Sequence, residues 1–308
     1  MNPLVTSVIH TLAFYDAVGK VPLTKLELYK YLISTKNLPL ISFGVFSSAL
    51  EEEWPVLRQY IAFYRGFYFL GNNSAGYKKR IDIGKTGVRK WRIAKRMARA
   101  ISFLPYVRMV GVTGSLALHT TNTKSDIDVL VVVKAGHIWT ARVLVSFLMH
   151  VLGKRRHGNK IQDRICLNHY IADSDLALRP KNLFSAHIYA TFVPVWSRDK
   201  TKEMFVAQNH PWIKSYLPHA GMPSRTDPDG IVGRSFFEHI IPGEVAEKIE
   251  ALLKNLQARK IQHTFANQSL GEGEVIFDDT ALVFHHPRPR RQEALYLYRE
   301  NLRELGIE

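Results

Sequence analysis

The stretch that decides the fold runs from residue 110 to residue 133 and reads VGVTGSLALHTTNTKSDIDVLVVV. The apolar runs at 107–112 and 126–133 are rich in β-branched residues, which is typical of buried strands. Between them, Gly114 and Ser115 lead into a short apolar segment, Leu116–His119. This order predicts a strand, a tight turn into a short helix, a loop and a second strand. Further alternation of helices and strands to residue 171 predicts an α/β (α+β) fold, with a mixed sheet covered by helices.

Two aspartates, Asp126 and Asp128, stand at the start of the second predicted strand. Residues two apart in a strand point to the same side of the sheet, so their carboxylates should lie side by side. Neighbouring carboxylates repel each other unless a cation lies between them. Oxygen ligands with open coordination positions suit Mg²⁺ or Mn²⁺ and the phosphates that these ions bind. We therefore predict that Asp126 and Asp128 are catalytic residues and metal ligands.

The turn formed by Gly114 and Ser115 is the predicted nucleotide-binding element. Glycine allows the backbone to approach a ligand closely. The N–H groups at the start of a helix, together with the Ser115 hydroxyl, can hold a terminal phosphate. The plainer interpretation is an ordinary turn, with the two aspartates marking a transition from loop to strand.

A hydrophobic strand, Gly-Ser, and Asp-x-Asp on a second hydrophobic strand together resemble the signature of the DNA polymerase β-like nucleotidyltransferase superfamily. In this sequence, Ser115 and Asp126 are eleven positions apart. The resemblance extends over residues 88–172. It implies two metal ions at Asp126 and Asp128, bridging a nucleoside triphosphate and an attacking hydroxyl. The implied enzyme transfers a nucleoside monophosphate to a hydroxyl acceptor, which could be a small molecule, a sugar phosphate, a protein or a nucleic acid such as an RNA end.

The third carboxylate that this resemblance implies has no obvious counterpart on the next predicted strand, residues 161–171. We assign it to Asp163, near the start of that strand, as a third catalytic residue. Its alternative interpretation is an exposed residue beside Arg164. The centre of the strand carries Cys166 and Asn168 instead of an acid, and Asp173 and Asp175 lie past its end.

The flanking segments predict three regions. Residues 1–75 have the order of a winged-helix-like domain, three helices and a hairpin, and 76–217 form the nucleotidyltransferase domain, with 183–217 helical. Residues 218–308 form a linker, rich in Pro, Gly and Asp over 218–230, and a C-terminal helical region with two helices, at about 243–262 and 291–305. The segments 164–170 and 182–186 resemble an uncharacterised prokaryotic branch of stand-alone nucleotidyltransferases with an N-terminal winged helix.

The overall charge indicates an anionic partner. The chain has 308 residues, with 42 Lys and Arg against 27 Asp and Glu, a formal net charge of +15. Such an excess favours binding to phosphates or nucleic acid. The excess is concentrated in residues 78–108, which either bind such a partner or form a solvated helix face. An alternative function is therefore a nucleic-acid-binding regulator with an inactive nucleotidyltransferase fold.

Two further features bound the class of protein. No stretch approaches the roughly 20 apolar residues of a membrane span, and no N-terminal targeting signal is evident, so we expect a cytoplasmic protein. Cys166 is the only cysteine, which excludes an intramolecular disulfide and a zinc site built from several cysteines.

Overall fold

The structure, a computed structural model, describes residues 1–35, 38–71, 75–221, 238, 242–266, 275–284 and 290–307. The N-terminal elements are α1 (Pro3–Gly19), β1 (Leu23–Thr24), α2 (Lys25–Lys30), α3 (Phe43–Glu52), α4 (Trp54–Leu57), β2 (Ile61–Tyr64) and β3 (Phe67–Leu70). They include three helices followed by a hairpin, together with a short strand, β1, and a short helix, α4, that were not predicted. The three strands form an antiparallel sheet in the order β1-β3-β2. Helix α2 begins at a capping box, in which Thr24 and Glu27 exchange hydrogen bonds.

The remaining elements are α5 (Ala75–Ser102), β4 (Val107–Val112), α6 (Gly114–Ala117), β5 (Ile127–Val133), α7 (Ile138–Val151), β6 (Ile165–Ala172), α8 (Leu183–Ala190), β7 (Val193–Ser197), α9 (Thr201–Tyr216), α10 (Gly243–Phe265), β8 (Val275–Phe277), β9 (Ala281–Phe284) and α11 (Arg290–Glu304). Their strands form the predicted mixed sheet, which has six strands in the order β7-β4-β5-β6-β9-β8. Strands β5 and β6 are parallel, and all other neighbours are antiparallel.

The two faces of β5 pack against different helices. Its odd-numbered residues, from Ile127 to Val133, are buried in a hydrophobic cluster with α5, α7 and α10. On the opposite face, Leu130 and Val132 belong to a second cluster that also contains residues of α1, α8 and α9. The carboxylates of Asp126 and Asp128 are therefore confined to the start of a strand whose later residues are all apolar. The N-terminal elements share their hydrophobic core with the sheet.

The segment 183–217 is not one helical region, and that prediction was wrong. It folds as α8, β7 and α9, and β7 pairs with β4. The run 191–196 is rich in β-branched and aromatic residues and contains Pro194. Proline lacks the N–H that a helix interior needs, but it is tolerated in an edge strand, and β7 lies at the edge of the sheet.

The C-terminal region adds two strands that the sequence did not predict. The hairpin β8–β9 pairs with β6 through β9, so the sheet draws on residues beyond the predicted domain boundary at 217. Helices α10 and α11 confirm the two predicted C-terminal helices. Most of the predicted linker lies outside the described residues. None of the helices in the described part of the chain combines the length and apolar character that a membrane span requires.

A partly buried carboxylate, Glu238, joins β4 to the turn after β7. It accepts hydrogen bonds from the Tyr106 N–H and from Arg108, and it forms ion pairs with Arg108 and Arg198. Burial alone would raise the pKa of Glu238, but the hydrogen bonds from Arg108 and Tyr106 outweigh burial and lower the pKa to about 2. The ionised form of this residue therefore stabilises the fold.

We expect Glu238→Gln to lower the free energy of unfolding at pH 7 by about 2 kcal/mol, the value of hydrogen bonds to a charged group. Because the pKa of Glu238 is lower in the folded than in the unfolded protein, its contribution is complete above about pH 4.5. It is lost as the pH falls towards 2. Denaturant unfolding of both proteins from pH 7 to pH 3 measures this, with exposed Glu247→Gln as the control. The difference in free energy of unfolding between the two proteins should shrink as the pH falls. A difference that stays constant would contradict a stabilising role for the ionised Glu238.

Candidate active site

The parallel pairing of β5 and β6 brings three potential metal ligands together. Asp128 pairs with Cys166 in the register of the two strands. Asp126, Asp128 and Cys166 each offer one ligand atom, and these atoms lie within 4.8 Å of one another. Asp126 is buried, and Asp128 is half-buried. We refer to Asp126 and Asp128 together as the acid pair.

The predicted glycine turn packs directly against the acid pair. Gly114 has a φ of 65°, in the left-handed region, and a Cβ built on it would lie 2.4 Å from Asp128 Oδ2. The Thr113 N–H also donates to the Asp128 carbonyl oxygen, at 3.0 Å. Glycine is required here both for its backbone conformation and for the close approach of the carboxylate.

We expect Gly114→Ala to disturb the acid pair rather than only the turn. The new methyl group would displace the Asp128 carboxylate, so Mn²⁺ binding should weaken about tenfold. Gly136→Ala is the matched control, because Gly136 has a φ of 76° and open space around its Cβ. Both variants should lose about 1 kcal/mol of stability from the left-handed backbone. Calorimetric titration with Mn²⁺ separates them, and equal affinities would contradict the proposed contact.

A guanidinium group already lies against the acid pair. Arg156 Nη1 donates to Asp126 Oδ2 at 2.5 Å and to Cys166 Sγ at 3.4 Å. Burial opposes the charged form of Arg156, but Cys166 and Asp126 together raise its pKa. The cluster therefore attracts a cation, and Arg156 supplies one in this structure.

The donor set fits a hard divalent cation held by two carboxylates. Mg²⁺ commonly uses one or two protein carboxylates and completes its coordination with water and substrate phosphates. Burial raises the pKa of the Cys166 thiol far above its ordinary value, and Asp128 and Asp126 raise it further. The protonated thiol is a poor ligand for Mg²⁺. Asp126 and Asp128 fit such an ion, and the third position of the cluster offers no carboxylate.

Asp163 does not join the acid pair. Its carboxylate forms ion pairs with Lys90, at 2.9 Å, and with Arg89, at 3.0 Å. Its backbone has a φ of 56°, in the turn before β6. The other acids considered also lie in other contacts: Asp173 accepts from the Ala135 N–H, and Asp175 pairs with Arg179.

Two cavities meet at the acid pair. The glycine-side cavity, of about 740 Å³, is lined by Gly114 and Ser115 as well as the acid pair. The arginine-side cavity, of about 1100 Å³, lies between β6, α7 and α10 and includes Cys166. Basic residues line both: Lys20, Arg80 and Lys124 on the glycine side, and Arg142, Arg155, Arg156 and Lys260 on the arginine side.

The basic residues of the arginine-side cavity were not predicted from the sequence. One signal was present, the basic run 154–157 immediately before the predicted third strand. A strand parallel to β5 begins at the same edge of the sheet as the acid pair, so a loop entering it should lie near the carboxylates. Arg142 and Lys260 had no comparable signal, because the packing of α7 against α10 brings them together.

Comparison with known proteins agrees with this part of the chain. A model of the nucleotidyltransferase domain family, of the polymerase β-like type, matches residues 94–162. The match includes β4, α6, β5 and α7, and thus the Gly114 turn and the acid pair, and it ends before β6. Neither a curated protein nor a solved structure shows significant similarity to the chain.

Proposed function

We propose that the protein is a metal-dependent nucleotidyltransferase that transfers a nucleoside monophosphate from a nucleoside triphosphate to a hydroxyl acceptor. The observation that carries the proposal is the position of the acid pair between two cavities with basic linings. A reaction that joins two substrates needs a site open to both. The nucleotidyltransferase domain match over residues 94–162 supports the reaction class.

The glycine-side cavity is the better site for the triphosphate. It contains the turn at Gly114 and Ser115, and its basic residues Lys20 and Lys124 are exposed towards solvent. The acceptor hydroxyl would then approach from the arginine-side cavity. Its oxygen forms a bond to the α-phosphorus, the bond from that phosphorus to the pyrophosphate oxygen breaks, and the hydroxyl proton passes to solvent. A divalent cation bound to the acid pair would neutralise phosphate charge during this exchange.

Metal-dependent triphosphate binding tests this function. Each of the four common ribonucleoside triphosphates would be added with and without Mg²⁺ or Mn²⁺, and the melting temperature recorded. At least one triphosphate should raise it only when the metal is present, because the acid pair alone repels phosphates. The double variant Asp126→Asn, Asp128→Asn should lose the metal dependence. Asp82→Asn, on the exposed surface of α5, is the control for loss of a carboxylate outside the site, and equal responses of the original protein and both variants would reject the proposal.

Three observations favour a second candidate, a nucleic-acid-binding protein with an inactive site. Cys166 stands where a third carboxylate would complete the cluster, and Arg156 already neutralises Asp126. The order of α1 to β3, with its three-stranded sheet, also supports the winged-helix interpretation of the N-terminal region. However, α3 contains no Lys or Arg and ends with Glu51 and Glu52, which disfavours phosphate contacts through that helix.

Oligonucleotide binding at several salt concentrations distinguishes the second candidate. A protein that contacts duplex DNA through several phosphates loses affinity steeply with salt, with a log–log slope near −0.9 per contact. We expect only weak duplex binding, lost near physiological salt. Sub-micromolar duplex binding that persists there, without any metal-dependent triphosphate response, would favour the inactive-site candidate.

A further inference from the structure

We infer that the arginine-side cavity binds a phosphate group carried by the acceptor. This inference rests on the proposed function, because it names the chemical class of the second substrate. The hydroxyl to be modified and a phosphate would belong to the same acceptor molecule. The phosphate could be carried by a small phosphorylated compound or by the end of a nucleic acid.

The charge of the cavity wall carries the inference. Arg142, Arg155 and Lys260 line the arginine-side cavity. Among the described residues, none of the three forms an ion pair with a carboxylate. The acid pair supplies the only carboxylates among the residues that line the cavity as described. Three cations without anionic partners form a local excess of positive charge that a bound dianion would neutralise.

Arg142 is held in place without losing its charge. Its Nη1 donates to Gln257 Oε1 at 2.5 Å, and Gln257 Nε2 donates in turn to the Trp139 carbonyl oxygen at 3.0 Å. The guanidinium carbon lies 4.8 Å from the ring centre of Phe284. A neutral amide and an aromatic face orient a guanidinium while leaving it free to meet an anion.

Arg142 also has donor capacity that the described residues leave unused. Its Nε is buried and has no hydrogen-bond partner among them. Burial lowers the pKa of Arg142, and the neighbouring charge of Arg155 lowers it further. An anion between the two guanidinium groups would relieve this repulsion. Phosphate suits the position because it accepts paired hydrogen bonds from guanidinium groups and carries up to two charges.

Arg156 links the proposed phosphate site to the acid pair. Arg156 lines the same cavity and contacts Asp126. An acceptor whose phosphate rests on Arg142 and Arg155 therefore extends towards the acid pair. A hydroxyl on the same molecule can reach the part of the cavity that the acid pair lines. Phe147 and Phe265 are among the apolar residues that line the cavity.

Binding of ribose 5-phosphate, measured by calorimetry without divalent metal, tests the anion site directly. Replacing Arg142 or Arg155 by glutamine should weaken the affinity for ribose 5-phosphate about tenfold or more, as expected when a charged hydrogen bond is lost. Arg299→Gln, on the exposed surface of α11, removes the same charge elsewhere and should leave the affinity unchanged. Equal weakening by all three variants, or by none, would overturn the inference.

Three further measurements complete the test. They distinguish a nucleic-acid end from a small phosphorylated acceptor, phosphate from carboxylate, and the anion site from the proposed enzyme activity. A hexanucleotide with a 5′-phosphate that binds more than tenfold tighter than ribose 5-phosphate, with the same dependence on Arg142, identifies a nucleic-acid end. Equal affinities identify a small phosphorylated acceptor. A hexaglutamate peptide that binds as tightly as either would overturn the assignment to phosphate. Ribose 5-phosphate binding that depends on Arg142, in a protein without metal-dependent triphosphate binding, would reject the proposed enzyme while retaining the anion site.

Discussion

Replacing Asp128 by asparagine should reduce the turnover of nucleotidyl transfer by about 10³-fold or more, with little loss of stability. Asparagine has nearly the same shape but cannot supply the negative charge that holds a divalent cation against the phosphates. Turnover would be measured as pyrophosphate release, using the triphosphate and acceptor found by binding. Mn²⁺ affinity, measured separately by calorimetry, should fall in the same variant.

Asp128 gives a cleaner test than Asp126. Asp126 also forms an ion pair with Arg156, so its asparagine variant changes a metal ligand and an ion pair together. Asp128→Glu keeps the charge but adds a methylene group, and the Asp128 carboxylate already lies against Gly114. We therefore expect Asp128→Glu to lose turnover as well. Asp175→Asn removes a carboxylate that pairs with Arg179 outside the cluster, and its turnover should stay within about twofold of the original. Full activity in Asp128→Asn would exclude Asp128 as a metal ligand.

The part of the site that the sequence predicted depends on local geometry. The alternation of side chains in a strand requires that Asp126 and Asp128 share a face, and it requires that Ile127 and Val129 face the opposite core. The structure confirms this arrangement. A glycine between a strand and a short helix likewise indicates a tight turn, because glycine adopts backbone conformations that other residues rarely adopt. These predictions needed no information about distant parts of the chain.

The rest of the site depends on contacts between distant segments. The partner of Asp126 is Arg156, which is thirty positions away and reaches it only because β6 runs parallel to β5. The hairpin β8–β9 joins the sheet through pairing with β6, which no short-range pattern encodes. The mistaken helix over β7 has the same cause, because pairing with β4 decides the conformation of that segment. The strand propensity of these residues alone was too weak to predict β7.

Asp163 has a partner in the structure that its local sequence pattern did not indicate. From the sequence, an acid at the start of the third strand had a position suited to the third carboxylate. In the structure, its carboxylate binds Lys90, whose side chain is fully buried and also donates to the Ser125 carbonyl oxygen. Lys90 lies on α5, more than seventy positions earlier in the chain. We therefore leave Asp163 out of the proposed catalytic residues.

We expect Asp163→Asn to lower the free energy of unfolding by about 3 kcal/mol, because it leaves the buried Lys90 ammonium without its carboxylate partner. Asparagine adopts the left-handed backbone of this position as readily as aspartate does, so the variant tests the charge alone. Arg89→Gln removes the exposed partner of the same carboxylate and should cost less than about 1 kcal/mol. Denaturant unfolding of both variants at neutral pH measures the difference.

A second substitution separates the ion pair from a role in catalysis. Replacing Lys90 by methionine in the Asp163→Asn background removes the buried charge and should recover part of the lost stability, since an apolar side chain of similar length suits that environment. Turnover per folded molecule of Asp163→Asn should remain within tenfold of the original protein, because the acid pair and Gly114 are unchanged. The opposite result, unchanged stability with a loss of turnover near 10³-fold, would restore Asp163 as the third catalytic carboxylate. It would then require Asp163 to leave Lys90 when substrate binds.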